Sequence, residues 1–229
     1  MSTRTRESSR AASEDTRNQL KAAAQMLFAR HGVDAVTVQQ IVSAAGQRNN
    51  AALHYHFGSK EELIRQLVVD GATVLDERRR GMLAGIEARG GPASIREILH
   101  VLVMPVIELA DDECWRGYIR FTSILQASDR KTLRAAPNNR WNTGYVACFG
   151  YLKRMLPLPE KLLEQRLTLF SIYANAVLSA REAALESKSR SDRLWDQAFT
   201  IDNMLDTMEA MITSPPSAPT LAKLPSGRS

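Results

Sequence analysis

The sequence predicts an all-α protein, with an N-terminal three-helix domain containing a helix-turn-helix and a larger helical domain after it. Three observations carry this. Apolar residues recur at helical spacing almost from end to end, and no segment alternates convincingly at a period of two. Glycines stand where helices must stop, at Gly32, Gly46 and Gly58. Thr37 stands three residues before Gln40, and Ser59 three before Glu62, the spacing with which a capping box opens a helix.

Taken in order, the first helix is predicted over 15–30. Leu20, Ala23, Ala24, Leu27 and Phe28 share one apolar face, and Gly32 supplies the stop. Thr37 opens a short helix through Val38, Ile41, Val42 and Ala45, which Gly46 ends. A second short helix follows over 50–57, closed by Gly58. Ser59 then starts a long one through Leu63, Leu67 and Val68 towards Arg78, Arg79 and Arg80, a run expected to be a solvated face. Gly90, Gly91 and Pro92 mark a boundary, with Pro92 starting a new helix. Further helices are predicted at 93–109, 113–127, 138–156, 160–187 and 192–213, and Pro105 is expected to kink or end the first of these. The domains are then 14–62 and 63–213. Residues 1–13 and the Pro-rich stretch 214–229 are expected to be disordered tails.

Bulk composition narrows the function classes. Hydrophobic residues make up 44% of the 229, enough for a sizeable core. No apolar run approaches the roughly 20 residues of a membrane span, and no apolar stretch follows the Ser- and Arg-rich start, so neither a span nor a secretory signal is expected. Two cysteines, Cys114 and Cys148, suit a reducing cytoplasm rather than a disulfide scaffold. Of the net charge of +5, +4 falls in residues 1–60, as expected if that quarter meets a polyanion. Metal-spaced clusters, a nucleophile elbow, a P-loop and a dinucleotide fingerprint are all missing from the sequence. Catalytic residues, cofactors and a metal site are therefore not predicted, and the chain does not read as an enzyme. His54 and His56 do not make a metal pair, because residues two apart on a helix point away from each other.

Two short helices joined by a tight glycine turn can hold the second one proud of the surface, at a size that fits the major groove of DNA. Val38, Ile41, Val42, Ala45, Ala52, Leu53 and Phe57 are predicted to pack together and onto Leu27 and Phe28. The outward residues of the second helix are then Arg48, Asn49, Asn50, His54, Tyr55 and His56, donors and acceptors of the kind that reach base edges and phosphates.

The stretch from Thr37 to Gly46, followed by Tyr55-His56-Phe57-Gly58-Ser59-Lys60-Glu61-Glu62-Leu63, resembles the DNA-binding domain of the TetR family of bacterial repressors. The resemblance covers roughly Leu20 to Leu67. It implies a phosphate-binding cap at Thr37, base-facing positions at Arg48, Asn49, Asn50 and Ala51, and phosphate clamps at Tyr55, His56 and Lys60. His54 stands where many members have a tyrosine against the DNA backbone. The amides at the start of the helix after Ser59 are of a kind that favours an anion.

Beyond Leu67 the resemblance implies a sensor domain and a two-fold dimer built on the last two long helices, which here carry wide apolar faces including Val177 and Leu205. It points to a mostly apolar effector cavity among the aromatic-rich helices, with Met104, Tyr118, Phe121, Trp141, Tyr145 and Phe149 as its candidate lining. The wording from Asn50 to Gly58 is similar to a subgroup that includes regulators of lipid metabolism, which implies a fatty-acyl or other lipid-like effector. A repressor released from a palindromic, double-stranded operator is the function so implied, with a constitutive DNA binder as the competing reading.

Overall fold

The computed structural model describes residues 2–128, 142–187 and 194–225, and the regular structure among them is helical throughout. The helices are α1 (Ser2–His31), α2 (Val38–Ala44), α3 (Ala51–Phe57), α4 (Lys60–Glu87), α5 (Ile95–Asp111), α6 (Tyr118–Ser128), α7 (Thr143–Met155), α8 (Glu160–Glu186), α9 (Thr200–Thr213) and α10 (Ala218–Ala222). Single 3-10 turns stand at Glu113–Trp115 and Leu194–Asp196. The chain divides into two compact units, Met1–Leu75 with Glu108–Asn142, and Asp76–Ile107 with Thr143–Ser229. The chain passes from the first unit to the second within α4, at 75/76, and α6 belongs to the first unit; the domain division expected at 62/63 lies near the start of the same helix.

The first unit is built around α1. Leu20, Ala24 and Phe28 are fully buried there, with Ile41 of α2, Leu53 of α3 and Leu63 of α4. Phe28 stacks on Phe121 of α6 with ring centroids 5.6 Å apart. The Tyr118 hydroxyl donates to the carbonyl of Val68 on α4 at 3.1 Å. Gln25 is buried, and it donates through Nε2 to the Arg116 carbonyl at 2.9 Å, which satisfies its amide inside an apolar layer. Lys21 and Asp70 tie α1 to α4 through an ion pair of 2.6 Å.

The structure departs from expectation in both units. Residues 2–14 are helical as part of α1, not an irregular tail. Between Met1 and His31 there is no Gly or Pro, and once the packed turns of α1 exist, each added residue extends the helix without a new nucleation cost. In the second unit Pro105 sits inside an unbroken α5. Its ring removes an N–H from the ladder, and nearby Arg79 Nη2 donates to the Leu102 carbonyl at 3.0 Å. Burial of Ile98, Leu99, Val101, Leu102 and Val103 outweighs one lost helical hydrogen bond. The start of α5 also lies later than Pro92, because Ser94 is the capping residue and accepts from the Glu97 amide at 3.2 Å.

The second unit packs α9 onto α8. Thr200, Met204, Met208 and Ile212 recur every four residues and are buried, with Leu205 beside them. On α8, Leu163, Leu167, Phe170 and Leu178 face inward. Arg96 of α5 binds Asp202 of α9 at 3.2 Å and also reaches Asp206. Asp76 is buried and caps the start of α7, accepting from the Gly144 amide at 2.7 Å and the Thr143 hydroxyl at 2.9 Å. A different face of α8 stays uncovered in the single chain, with Leu169 58% and Ile172 48% exposed and Ala176 and Ala180 continuing the stripe. The segment after α9 includes the short helix α10, where Pro219 occupies the first turn, so part of the stretch predicted as a tail is helical.

Candidate nucleic-acid interface

The first unit carries its polar display on α2, the turn after it, and α3. Both halves of the predicted capping box are present. The Gln40 amide donates to Thr37 Oγ1 at 3.3 Å, and the Thr37 amide donates to Gln40 Oε1 at 2.8 Å. Helix α2 ends at Ala44–Ala45, where Gly46 takes φ +70°. The Gly46 amide then reaches the Ser43 carbonyl at 3.0 Å, and the Gln47 amide the Val42 carbonyl at 2.9 Å. That pair of bonds needs a left-handed residue, which explains glycine at this point. Ile41, Val42, Leu53 and Phe57 are buried, so α3 is held by its apolar face and its other faces remain open.

Along the turn and α3, Arg48, Asn49, Asn50, Ala51, His54 and Tyr55 are exposed, and Tyr55 is 81% exposed. A tyrosine exposed to that extent contributes little to the core of the unit. His56 is half-buried, with the Tyr55 ring edge-on to it at 5.0 Å between centroids. Thr37 is exposed at the start of α2. The two asparagines differ. Asn49 Oδ1 accepts from the Ala51 amide at 2.9 Å, so Asn49 serves as the polar cap of α3. Asn50 makes no side-chain cap bond. An Asn two residues before a helix start is the local sequence pattern that signals such a cap.

Lys60 has a structural duty that its sequence context does not reveal. Its Nζ donates to the Val33 carbonyl at 2.7 Å and the Val36 carbonyl at 2.6 Å, locking the loop between α1 and α2. An ammonium has three donors, so one remains for a further acceptor. The first amides of α4, read from sequence as an anion site, are partly occupied by the chain's own groups. The Glu62 amide donates to Ser59 Oγ at 3.1 Å. Glu61's carboxyl is held below its ordinary range chiefly by a backbone hydrogen bond, then by Ser59. Glu62's carboxyl is lowered to about 2 by hydrogen bonds from Arg65 and then Gln66.

Residues 20–67 match the family model of the bacterial regulatory proteins of the tetR family. The chain carries a TetR-family DNA-binding domain. Solved structures share the fold over most of the chain. A chain described as a tetR family transcription regulator from Shewanella sp. PV-4 is 13% identical, with a TM-score of 0.56 over 85% of this chain and 96% of that one. A tetR-family transcriptional regulator structure from Mesorhizobium loti is 17% identical, with a TM-score of 0.50 over 87% and 96%. A protein described as the superantigen PfiT is 15% identical, with a TM-score of 0.52 over 88% and 97%. At these identities the likeness concerns fold alone. No curated protein matches the chain.

The residues predicted to line an effector cavity fall in both compact units. Tyr118 and Phe121 are buried in the first unit, where they pack beside Phe28 and Trp115. Tyr145 and Phe149 lie in the second unit, 4.5 Å apart between centroids, with Phe149 next to Phe170 of α8. The Tyr145 hydroxyl is 3.0 Å from Ser171 Oγ, and because Ser171 donates to the Leu167 carbonyl, the tyrosine is the donor of that pair. Met104 is half-buried on α5. Trp141 lies outside the described residues.

Arg79 has a role that the charge run does not announce. Its guanidinium lies 5.6 Å from the centre of the Tyr145 ring while also binding the Leu102 carbonyl, so the arginine run is not simply a solvated face. Cys148 beside it is fully buried, and desolvation pushes its thiol up to about 11. A groove of about 550 Å³ opens in the same unit, lined by Met82, Ile86, Arg96, His100 and Val101 among others, none of them a predicted lining residue. Among the described residues no three His, Cys, Asp or Glu side chains are placed to hold a metal ion, and no helix is long and apolar enough to cross a membrane.

Proposed function

We propose that the protein is a transcriptional repressor that binds a palindromic operator as a homodimer and is released by a small, mostly apolar effector. The carrying observation is the exposed row Arg48, Asn49, Asn50, Ala51, His54 and Tyr55 on a short helix and its leading turn, with the opposite helix face locked into a core. Such a row adds little to stability, and its donors and acceptors match what major-groove edges present. Thr37, Tyr55, His56 and the third donor of Lys60 flank that row and take the phosphates.

Asn50 is the strongest base-reading residue here, because both its amide oxygen and its NH₂ group are uncommitted to capping and can meet adenine bidentately. Asn50→Ala is expected to weaken binding by about 1–3 kcal/mol and to relax preference at one operator position. Selection from a randomised duplex library checks this. An unchanged preference would show that Asn50 does not read bases.

The uncovered stripe Leu169, Ile172, Ala176 and Ala180 on α8 is assigned to a second copy of the chain. Two-fold pairing suits a palindrome, since each half-site then meets one recognition helix, ~34–36 Å from its mate. Ile172→Glu is expected to give folded monomers by light scattering and circular dichroism, with operator binding lost; a stable dimer would place the interface elsewhere. The effector is assigned to the interior of the second unit around Met104, Tyr145 and Phe149, and a fatty-acyl or other lipid-like molecule fits the apolar character of those side chains. Mass spectrometry of material that co-purifies with the dimer, followed by titration into the operator complex, tests the release step.

A further inference from the structure

We infer that His54 reads a base as a hydrogen-bond acceptor, selecting an exocyclic amine of adenine or cytosine, and that it does not clamp a phosphate; this rests on the DNA-binding reading above. His54 Nδ1 lies 2.9 Å from the carbonyl oxygen of Gly58. A carbonyl can only accept, so Nδ1 carries the proton and donates. In a neutral imidazole with Nδ1 protonated, Nε2 holds a lone pair and no hydrogen. A phosphate displays acceptors alone, so this tautomer has nothing to offer it. In the major groove the donors are the N6 amine of adenine and the N4 amine of cytosine, and these are what Nε2 can meet.

Position supports the same assignment. His54 stands one turn beyond Asn50 and Ala51 on the exposed side of α3, so its ring tip continues the base-facing row. Its partner Gly58 follows the last residue of α3, and its amide bonds back to the His54 carbonyl at 2.9 Å. The imidazole is therefore tied at one end to the turn that closes the recognition helix. Where a tyrosine hydroxyl could donate to DNA, the Nδ1-protonated tautomer presents an acceptor of fixed direction.

The test uses the full-length dimer at pH 8, where an ordinary imidazole is neutral. His54→Asn places an amide nitrogen near the position of Nδ1, so it can keep the bond to Gly58 while removing Nε2. His54→Ala removes both, and circular dichroism reports whether either variant remains folded. Wild type selected on a randomised operator should prefer adenine or cytosine at one position, and His54→Asn should lose that preference alone, by roughly 5- to 150-fold. Replacing the selected adenine by purine without its N6 amine should weaken wild type by a comparable factor and leave His54→Asn unchanged. A uniform loss on all operators, with a salt slope reduced by about one unit, would identify a phosphate contact and overturn the inference. Selection of guanine or thymine at that position would overturn it as well. If wild type selects no sequence at all, the DNA-binding proposal fails instead.

Discussion

Asp76→Ala is expected to destabilise the protein by about 3–5 kcal/mol, because it removes a buried carboxylate from three partners at once. The Asp76 side chain is 3% exposed and accepts from the Gly144 amide, the Thr143 hydroxyl and, at 3.2 Å, Arg80 Nε. Arg80 is 55% exposed and regains water when the carboxylate goes, so its share of the loss is small. The Gly144 amide is buried, and at the start of α7 it has no partner within its own helix to fall back on. Gly144 itself is required for this approach, since a Cβ there would meet Arg79 Cβ at 2.9 Å and Asp76 Oδ1 at 3.2 Å. Asp76→Asn should be intermediate, because its oxygen still accepts from Gly144 while its NH₂ faces Arg80. Thermal melts should rank wild type, Asn and Ala in falling order, with Ala lower by roughly 6–20 °C. An alanine variant melting with wild type would mean that α7 is held by apolar packing alone.

Gly71→Ala is the second large effect, and its sign is opposite to what helix propensity predicts. In an open helix the change would stabilise by up to about 1 kcal/mol. Here the new Cβ would stand 2.2 Å from Tyr118 Cζ and 2.3 Å from Cε2. Tyr118 is 3% exposed, its hydroxyl is bound to Val68, and its ring also meets Phe121, so it has little room to withdraw. The expected outcome is a loss of about 3 kcal/mol, at the upper end for overpacking, with α4 and α6 forced apart. A double-mutant cycle separates the steric clash from the gain in propensity. Against Tyr118→Leu, which shortens the intruding side chain, Gly71→Ala should be neutral or stabilising, whereas additive losses would show that the ring contact is not the cause.

Both sites depend on residues far apart in the chain, and sequence patterning does not reach them. The capping box at Thr37 and Gln40, the stop at Gly46 and the buried positions Ile41, Val42, Leu53 and Phe57 are all legible in the sequence, because each depends on neighbours within a few residues. The exposure of Arg48, Asn50, His54 and Tyr55 follows from the same periodicity. Pro105 does not end α5, because the local rule against proline competes with burial along an apolar helix, and burial contributes more. What the candidate lining residues meet is not legible for a different reason. Aromatic side chains at helical spacing do not say which neighbour they will meet. Tyr118 and Phe121 meet α1 and α4 in the first unit, whereas Tyr145 and Phe149 pack within the second.

The sequence by itself determined a helical protein with a helix-turn-helix, because caps, turn glycines and apolar period are interactions of short range that any chain with these residues must satisfy. Only the tertiary structure decided that Lys60 locks the α1–α2 loop, that Tyr118 binds Val68, and that Asp76 caps α7. Those are choices among hydrogen-bond partners of nearly equal energy. Which partner wins depends on where folding places a carbonyl to within a few tenths of an ångström, and residue identity does not encode that distance.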